Sequence, residues 1–310
     1  MRPAATVPPA DAQACSVDAA WRAVLAAARA TERMTQDGRA ETFALDDSGR
    51  LRSVPPDDPA AWLRWSPAEG WATLVRTDAP GYRLFDLYLP LCNATTARPL
   101  TIGHLGQSLD GFIATLGGDS QFVTGEENIV HLHRLRALCD AVIVGAGTVA
   151  ADNPQLTTRH VEGPNPLRVV FDPARRLDAR YGIFTDTAAD TLYVCARHLM
   201  RAGETHLGRA PILGVDEEGE GTAVADLQRL VVARGCSRIL VEGGGVTVSR
   251  FLKAGLLDRL QVAVAPFFIG EGRPAIRLPA PSALSDCERP PHRVFQMGGD
   301  VLFELVLRGA

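Results

Sequence analysis

RILVEGGGVTVSRF, residues 238–251, reads as a β-rich apolar run ending at Glu242, then Gly243, Gly244 and Gly245, then a helix-compatible stretch. A short continuous apolar run fits a strand covered on both faces, and a strand passing through glycine into a helix is the joint of an α/β sheet. The same rhythm extends outward in both directions. TIGHLG (101–106), AVIVG (141–145), PLRVVFD (166–172), TLYVCA (191–196) and LQVAVA (260–265) are further strand candidates. Between them, TGEENIVHLHRLRALCD (124–140) has Thr124 and Glu127 at capping-box spacing and Ile129, Leu132 and Leu135 on one stripe. ADLQRLVVARG (225–235) and VTVSRFLKAG (246–255) read as helices, each closed by glycine. VFQMGGDVLFELVL (294–307) reads as a hairpin around Gly298-Gly299-Asp300. The expectation is α/β: a mostly parallel sheet with helices on both faces and an antiparallel C-terminal hairpin.

The rhythm begins only after Ala97-Arg98-Pro99, and all four tryptophans, Trp21, Trp62, Trp65 and Trp71, precede that point. A chain of 310 residues accommodates two domains. Residues 1–98 are therefore expected to form a small α+β region of unassigned role, and residues 99–310 the part that carries chemistry. Within the first part, residues 1–15 read as a loose Pro- and Ala-rich tail, SVDAAWRAVLAAARA (16–30) as a helix, and ETFALDDSGRLRSV (41–54) as a turn between extended segments. GYRLFDLYLPL (81–91) alternates like a strand.

Composition excludes several functions. A formal charge of −4 from 32 basic and 36 acidic side chains offers no concentrated basic footprint, so nucleic acid is not an expected partner. The six cysteines stand far apart and read as free thiols of a reducing compartment. With no signal-like start and no uninterrupted apolar run of about 18 residues, the expectation is a cytoplasmic protein without a membrane partner.

Ligands of open α/β sheets collect beyond the carboxyl ends of the strands. Three turns there stand out. Gly243–Gly245 opens a helix, where bare amides and the helix dipole attract an anion, although the spacing is not G-x-G-x-x-G. VIVGAGTVAADNPQLTTR (142–159) offers Thr148 as a cap or phosphate donor, Asp152 as an acceptor, and Arg159, with Arg136, as an anion fork. LGQSLDGFIATLGGDSQF (105–122) offers Asp110 and Ser120. Taken singly, each is equally an ordinary turn. No metal site is expected: His131 and His133 fall on different helix faces, and His160-Val161-Glu162 lacks a following P-C-x-x-C.

Together these segments resemble a family. SLDG (108–111), GGDSQFVT (117–124), HRLRALCDAVIVGAGTVAADNPQLTTR (133–159), LRVVFDP (167–173), ILVEGGG (239–245) and VAPFFIGEG (264–272) look like the pyrimidine reductases of riboflavin biosynthesis. The likeness covers about residues 99–308. It implies a dihydrofolate reductase-like fold, a homodimer, NADPH as cofactor and a small phosphorylated pyrimidine as substrate. The implied reaction reduces the ribosyl group of 5-amino-6-(5-phosphoribosylamino)uracil to the ribitylamino product. By the resemblance, Gly106, Phe122, Thr148, Asp152 and the loop Gly243, Gly244, Gly245, Val246 and Thr247 contact the cofactor. Ser120, Arg136, Leu156, Arg159 and Glu242 contact the substrate, with Ser120 and the two arginines near its phosphate. Glu242 and His104 are the expected catalytic side chains. Three positions depart from the family pattern: His104 stands where lysine is usual, Phe122 where tryptophan is common, and Pro173 where a serine often meets the cofactor. Arg175 and Arg176 are the replacement candidates for a 2′-phosphate. Residues 1–98 do not resemble the deaminase often fused there. Two alternatives remain open: a reductase of another pyrimidine or pterin-like compound, and a non-catalytic nucleotide-binding or assembly module, against which the intact Glu242 and glycine loop argue.

Overall fold

A computed structural model describes residues 15–46, 48–216 and 221–308. They fall into two compact units that divide between Arg98 and Pro99. Of the segment expected to be a tail, residues 1–14 lie outside the described residues, while Cys15 is buried.

In the first unit, α1 (Val17–Asp37) starts where Ser16 Oγ accepts from the Ala19 amide at 3.2 Å and stops at left-handed Gly38. Four strands follow, β1 (Glu41–Leu45), β2 (Leu51–Val54), β3 (Leu63–Ser66) and β4 (Gly70–Thr73), in the order β2-β1-β3-β4. Asp46 closes the first hairpin by accepting from the Ser48 and Arg50 amides, both at 2.9 Å. The segment 81–91, expected to be a strand, is instead helix α2 (Tyr82–Cys92). Leu84, Phe85, Leu87, Tyr88, Leu89 and Leu91 are all buried, and the less buried Arg83, Asp86 and Pro90 form a stripe at helical spacing so narrow that the segment also reads as a strand. Trp71 Nε1 donates to Thr31 Oγ1 at 2.9 Å, and that hydroxyl donates to the Cys92 carbonyl at 2.7 Å, tying β4, α1 and α2 together.

The second unit runs β5 (Leu100–Ser108), β6 (Phe112–Thr115), α3 (Glu126–Leu138), β7 (Ala141–Gly145), α4 (Ala146–Asp152), β8 (Leu167–Phe171), α5 (Gly182–Thr185), β9 (Thr191–Ala196), β10 (His206–Leu207) and β11 (Ala210–Val215). It continues through α6 (Thr222–Val232), β12 (Arg238–Glu242), α7 (Gly245–Lys253), β13 (Arg259–Ala265), β14 (Gly272–Pro274), β15 (His292–Met297) and β16 (Asp300–Val306). Ten strands form one sheet, β10-β11-β9-β8-β7-β12-β5-β13-β16-β15; β14 and β6 pair separately. The pairings from β11 to β13 are parallel, and β16 and β15 add the antiparallel hairpin.

Alternation along the strands decides what each face carries. On one face Ile239, Val241, Leu105, Leu260 and Val262 pack with Val224, Leu227 and Val231 of α6 and Val248 and Phe251 of α7. The opposite face is covered by α3, and there the strands present polar groups. Glu242, His104, Gln261, Glu304 and Arg293 are successive register partners across β12, β5, β13, β16 and β15. This row explains why α3 departs from its expected pattern. Its inward residues are Asn128, His131, Leu135 and Leu138, while Ile129 and Leu132 border a cavity. The N-cap is Gly125 rather than Thr124, whose hydroxyl instead accepts from Asn128 Nδ2 at 2.9 Å.

Candidate active site

A cavity of about 730 Å³ opens at the carboxyl ends of the parallel strands. That size lies within the range usual for small-molecule sites, about 300 to 1,000 Å³. Its walls come from the end of β5 (His104, Leu105, Gly106), the β7–α4 joint (Gly145–Thr148), the exit of β8 (Phe171, Pro173, Arg176) and the β12–α7 joint (Glu242–Thr247). Ser120, Phe122 and Asp152 lie on its other side.

The glycine loop is built for close approach. Gly243 has φ +97°, a conformation that side chains rarely adopt, and a Cβ on Gly245 would sit 2.2 Å from the Ala275 carbonyl oxygen. Thr148 does not cap α4, whose N-cap is Gly145; its Oγ1 accepts the Gly244 amide at 3.0 Å and so clamps the loop. The Gly244 N–H is therefore engaged within the protein. The amides of Gly245 and Val246, in the first turn of α7, have no intrahelical partner and are the ones presented to an anion.

Glu242 ends β12 at the cavity floor. Arg136 of α3 forks onto it, Nε to Oε2 at 2.9 Å and Nη2 to Oε1 at 2.5 Å, with Nη1 donating to the Thr157 carbonyl at 3.3 Å. Both side chains are largely buried. Arg136 was expected at a substrate phosphate; in the structure its guanidinium forks onto Glu242 and does not border the cavity. Arg159 donates to Thr157 Oγ1 at 2.7 Å within electrostatic reach of Arg136 and Glu242, and it does not border the cavity. Leu156, an expected substrate contact, is 1% exposed at φ +53° and does not border the cavity. Phe122 is 83% exposed at the rim, also with positive φ (+61°), which is costly for a bulky residue and leaves its ring presented to the cavity. Ser120 Oγ reaches Asp152 Oδ1 at 3.4 Å, bringing a predicted substrate contact and a predicted cofactor contact together; burial raises the Asp152 pKa.

His104 pairs in register with Glu242 and is itself buried. Burial pulls its pKa down to about 4, partly opposed by Glu242 and Asn128 and aided by Arg136, so the ring is neutral at pH 7. Of the two 2′-phosphate candidates, Arg175 is held inward by Glu204 and by the Leu199 carbonyl at 2.7 Å. Arg176 is 67% exposed on the cavity wall, 3.8 Å from Asp172. Sequence reading missed Asn128 and three cavity-lining arginines, Arg250, Arg273 and Arg277. Arg273 reaches the site because β14 pairs with β6, a short irregular ladder with no motif to announce it.

Residues 99–301 match the family model described as the RibD C-terminal domain. The chain belongs to this family. It is 31% identical over 221 residues to the 2,5-diamino-6-ribosylamino-4(3H)-pyrimidinone 5′-phosphate reductase of Methanothermobacter thermautotrophicus, covering 68% of this chain and 100% of that relative. The Aquifex aeolicus riboflavin biosynthesis protein RibD is 31% identical over 179 residues, 57% of this chain and 49% of RibD. The chain thus spans the whole of the archaeal relative and about half of the bacterial one. Among solved structures, the Thermotoga maritima diaminohydroxyphosphoribosylaminopyrimidine deaminase/5-amino-6-(5-phosphoribosylamino)uracil reductase superimposes with TM-score 0.58 at 26% identity. That match covers 72% of this chain and 59% of the Thermotoga chain. Acinetobacter baumannii RibD gives TM-score 0.59 at 25% identity over 73% of this chain and 62% of its own. Membership of the RibD C-terminal domain family makes the chain an oxidoreductase of riboflavin biosynthesis, with the α/β fold expected from its sequence.

Proposed function

We propose that residues 99–310 bind NADPH and reduce the ribosyl group of 5-amino-6-(5-phosphoribosylamino)uracil to a ribityl group. The observation that carries this reading is the juxtaposition of Glu242, neutral His104 and the clamped glycine loop on one cavity at the strand ends. The cradle fits a dinucleotide: Gly147 leaves open space on the cavity wall, and the first-turn amides of α7, which also line it, suit a pyrophosphate. Phe122 supplies a flat surface at the rim, and Arg176 a cation for a 2′-phosphate. When bound, a reduced nicotinamide supplies hydride.

The remaining work is orientation. Ring opening of the ribosylamine gives an imine; C1′ accepts hydride and the imine nitrogen keeps a proton, so substrate, NADPH and H⁺ give amine and NADP⁺. Glu242 accepts hydrogen bonds from the pyrimidine amino groups, and its charge favours the cationic imine over the neutral one. Arg136 holds that carboxylate in place while leaving lone pairs toward the cavity. Ser120 and Arg273, both lining the cavity, supply a hydroxyl and a guanidinium for the substrate phosphate.

A second reading is favoured by the full-length match to the archaeal enzyme, whose named substrate is the 2,5-diamino-pyrimidinone. Incubating the protein with NADPH and each pyrimidine, following absorbance loss and a product two mass units heavier, decides between them. Turnover of neither, in a preparation that binds NADPH, rejects both.

The family resemblance also underlies reading the protein as a homodimer, and its scattered free cysteines underlie reading it as cytoplasmic; among the described residues no helix is long and apolar enough to cross a membrane. The paired Val294 and Phe303, 54% and 37% exposed on the terminal hairpin, support a contact there. Sedimentation of the wild type against Val294→Asp tests it, with an unchanged species rejecting that face.

A further inference from the structure

We propose that His104 is a specificity-determining residue: Asn128 and Thr124 fix its imidazole with the proton on Nε2, so that a bare Nδ1 faces the cavity as a hydrogen-bond acceptor. The identity of the ligand group rests on the reductase reading above; the state of the ring does not.

The chain of bonds runs inward from Thr124. Its Oγ1 accepts from Asn128 Nδ2 at 2.9 Å, which turns Asn128 Oδ1 toward His104 Nε2 at 3.3 Å. An amide oxygen is an acceptor only, so Nε2 must carry the hydrogen. In a neutral imidazole the other nitrogen is then a lone pair. The ring makes no second hydrogen bond among the described residues, and Nδ1 is not one of the buried polar atoms lacking a partner, so it opens on the cavity that His104 lines.

The groups around the ring oppose one another. Glu242 on β12 favours a charge, while Arg136 on α3 opposes it. His131 lies against it, ring centroids 5.3 Å apart, and Gln261 on β13 stands beside it in register without a charge. Burial then decides against the cation.

A bare acceptor discriminates by what it refuses. A ligand carbonyl placed there would set two lone pairs face to face in a desolvated site, whereas a hydroxyl or N–H completes both partners. For a ribosylamino substrate the matching groups are the hydroxyls of the opened sugar chain. His104 thus selects a hydroxylated chain over a keto or deoxy one at this point of the cavity.

The test is long-range ¹H–¹⁵N correlation of the whole protein labelled at histidine, with His104 assigned by its loss in His104→Gln. Expected is the neutral Nε2-protonated pattern from about pH 5.5 to 8, across the range where a free imidazole titrates. An Nδ1-protonated pattern, or titration near the free-imidazole midpoint, overturns the proposal. Adding the ribosylaminopyrimidine without nicotinamide should move the Nδ1 resonance as it begins to accept; an unmoved resonance at saturation overturns it too. In Asn128→Asp, a carboxylate facing Nε2 should stabilise the imidazolium. KM for the pyrimidine should then rise about tenfold, with kcat far less affected, matching the loss of one good hydrogen bond. An unchanged KM in a variant whose ring is shown to be protonated rejects the specificity role. Absence of turnover in the wild type would reject the reductase reading, and the ring spectrum would still decide the state of His104.

Discussion

Glu242 and Arg136 satisfy one another in a largely buried fork, so neither can be removed without stranding the other. Glu242→Gln is expected to lower kcat with the pyrimidine at least about 100-fold, as the carboxylate that favours the cationic imine is gone. It should also cost about 3 kcal/mol or more in urea denaturation, because Arg136 is left charged and unmatched. Adding Arg136→Met should recover much of the stability and none of the turnover; recovery of turnover would show that Glu242 acts only as a structural partner. The two neighbouring arginines after β8 part in the same way. Arg176→Ala should raise KM for NADPH about tenfold or more with little change for NADH, the effect of losing a charge-assisted fork on one phosphate. Arg175→Ala should instead lower the melting temperature, since Arg175 is tied to Glu204 and the Leu199 carbonyl. Equal KM changes for both cofactors would remove Arg176 from the 2′-phosphate.

At the scale of elements, β5 and α3 bring three histidines into the interior: His104, His131 and His133. Burial holds His104 and His133 at about 4 and His131 well below its ordinary value. The folded state therefore favours the neutral rings, and the unfolded chain binds more protons once pH falls below the ordinary value of about 6.5. Their contribution to stability is complete above that pH and is lost as pH falls from there toward 4. Unfolding near pH 5 should take up on the order of three protons, read from the slope of stability against pH. A flat profile between pH 6.5 and 5 would contradict the burial of these rings. The strands that carry them were legible because continuous apolar runs between glycine turns have few other uses, and Glu242 and the loop after it were legible because they end such a strand. α2 was not: Pro90 lies within it, its stripe of Arg83, Asp86 and Pro90 is narrow, and its leucines and aromatics read as β. Nor was Arg136–Glu242, since a fork between α3 and β12 depends on where the helix crosses the sheet, which spacing within either segment does not specify.

For the whole molecule, every residue lining the cavity belongs to the second unit, which has its own two-faced core around β12 and β5. The hydrogen bonds at the boundary sort cleanly. Thr95 and Arg98 close a turn on each other, and Thr96 is held by Glu32, all before Pro99. Leu100 donates to the Ser237 carbonyl and Thr101 to Asp258, both within the second unit. Cutting between Arg98 and Pro99 therefore orphans none of these groups, and the polar groups of β5 keep their partners. We expect a polypeptide of residues 99–310 to fold cooperatively and to reduce the pyrimidine with kcat/KM within about threefold of the full chain, under 1 kcal/mol in transition-state terms. The comparison also bears on what residues 1–98 do. If the shorter polypeptide folds, by circular dichroism and a cooperative urea transition, yet loses more than about tenfold in kcat/KM, the first unit acts on the site through the assembled protein, and the chemistry cannot be assigned to the second unit alone.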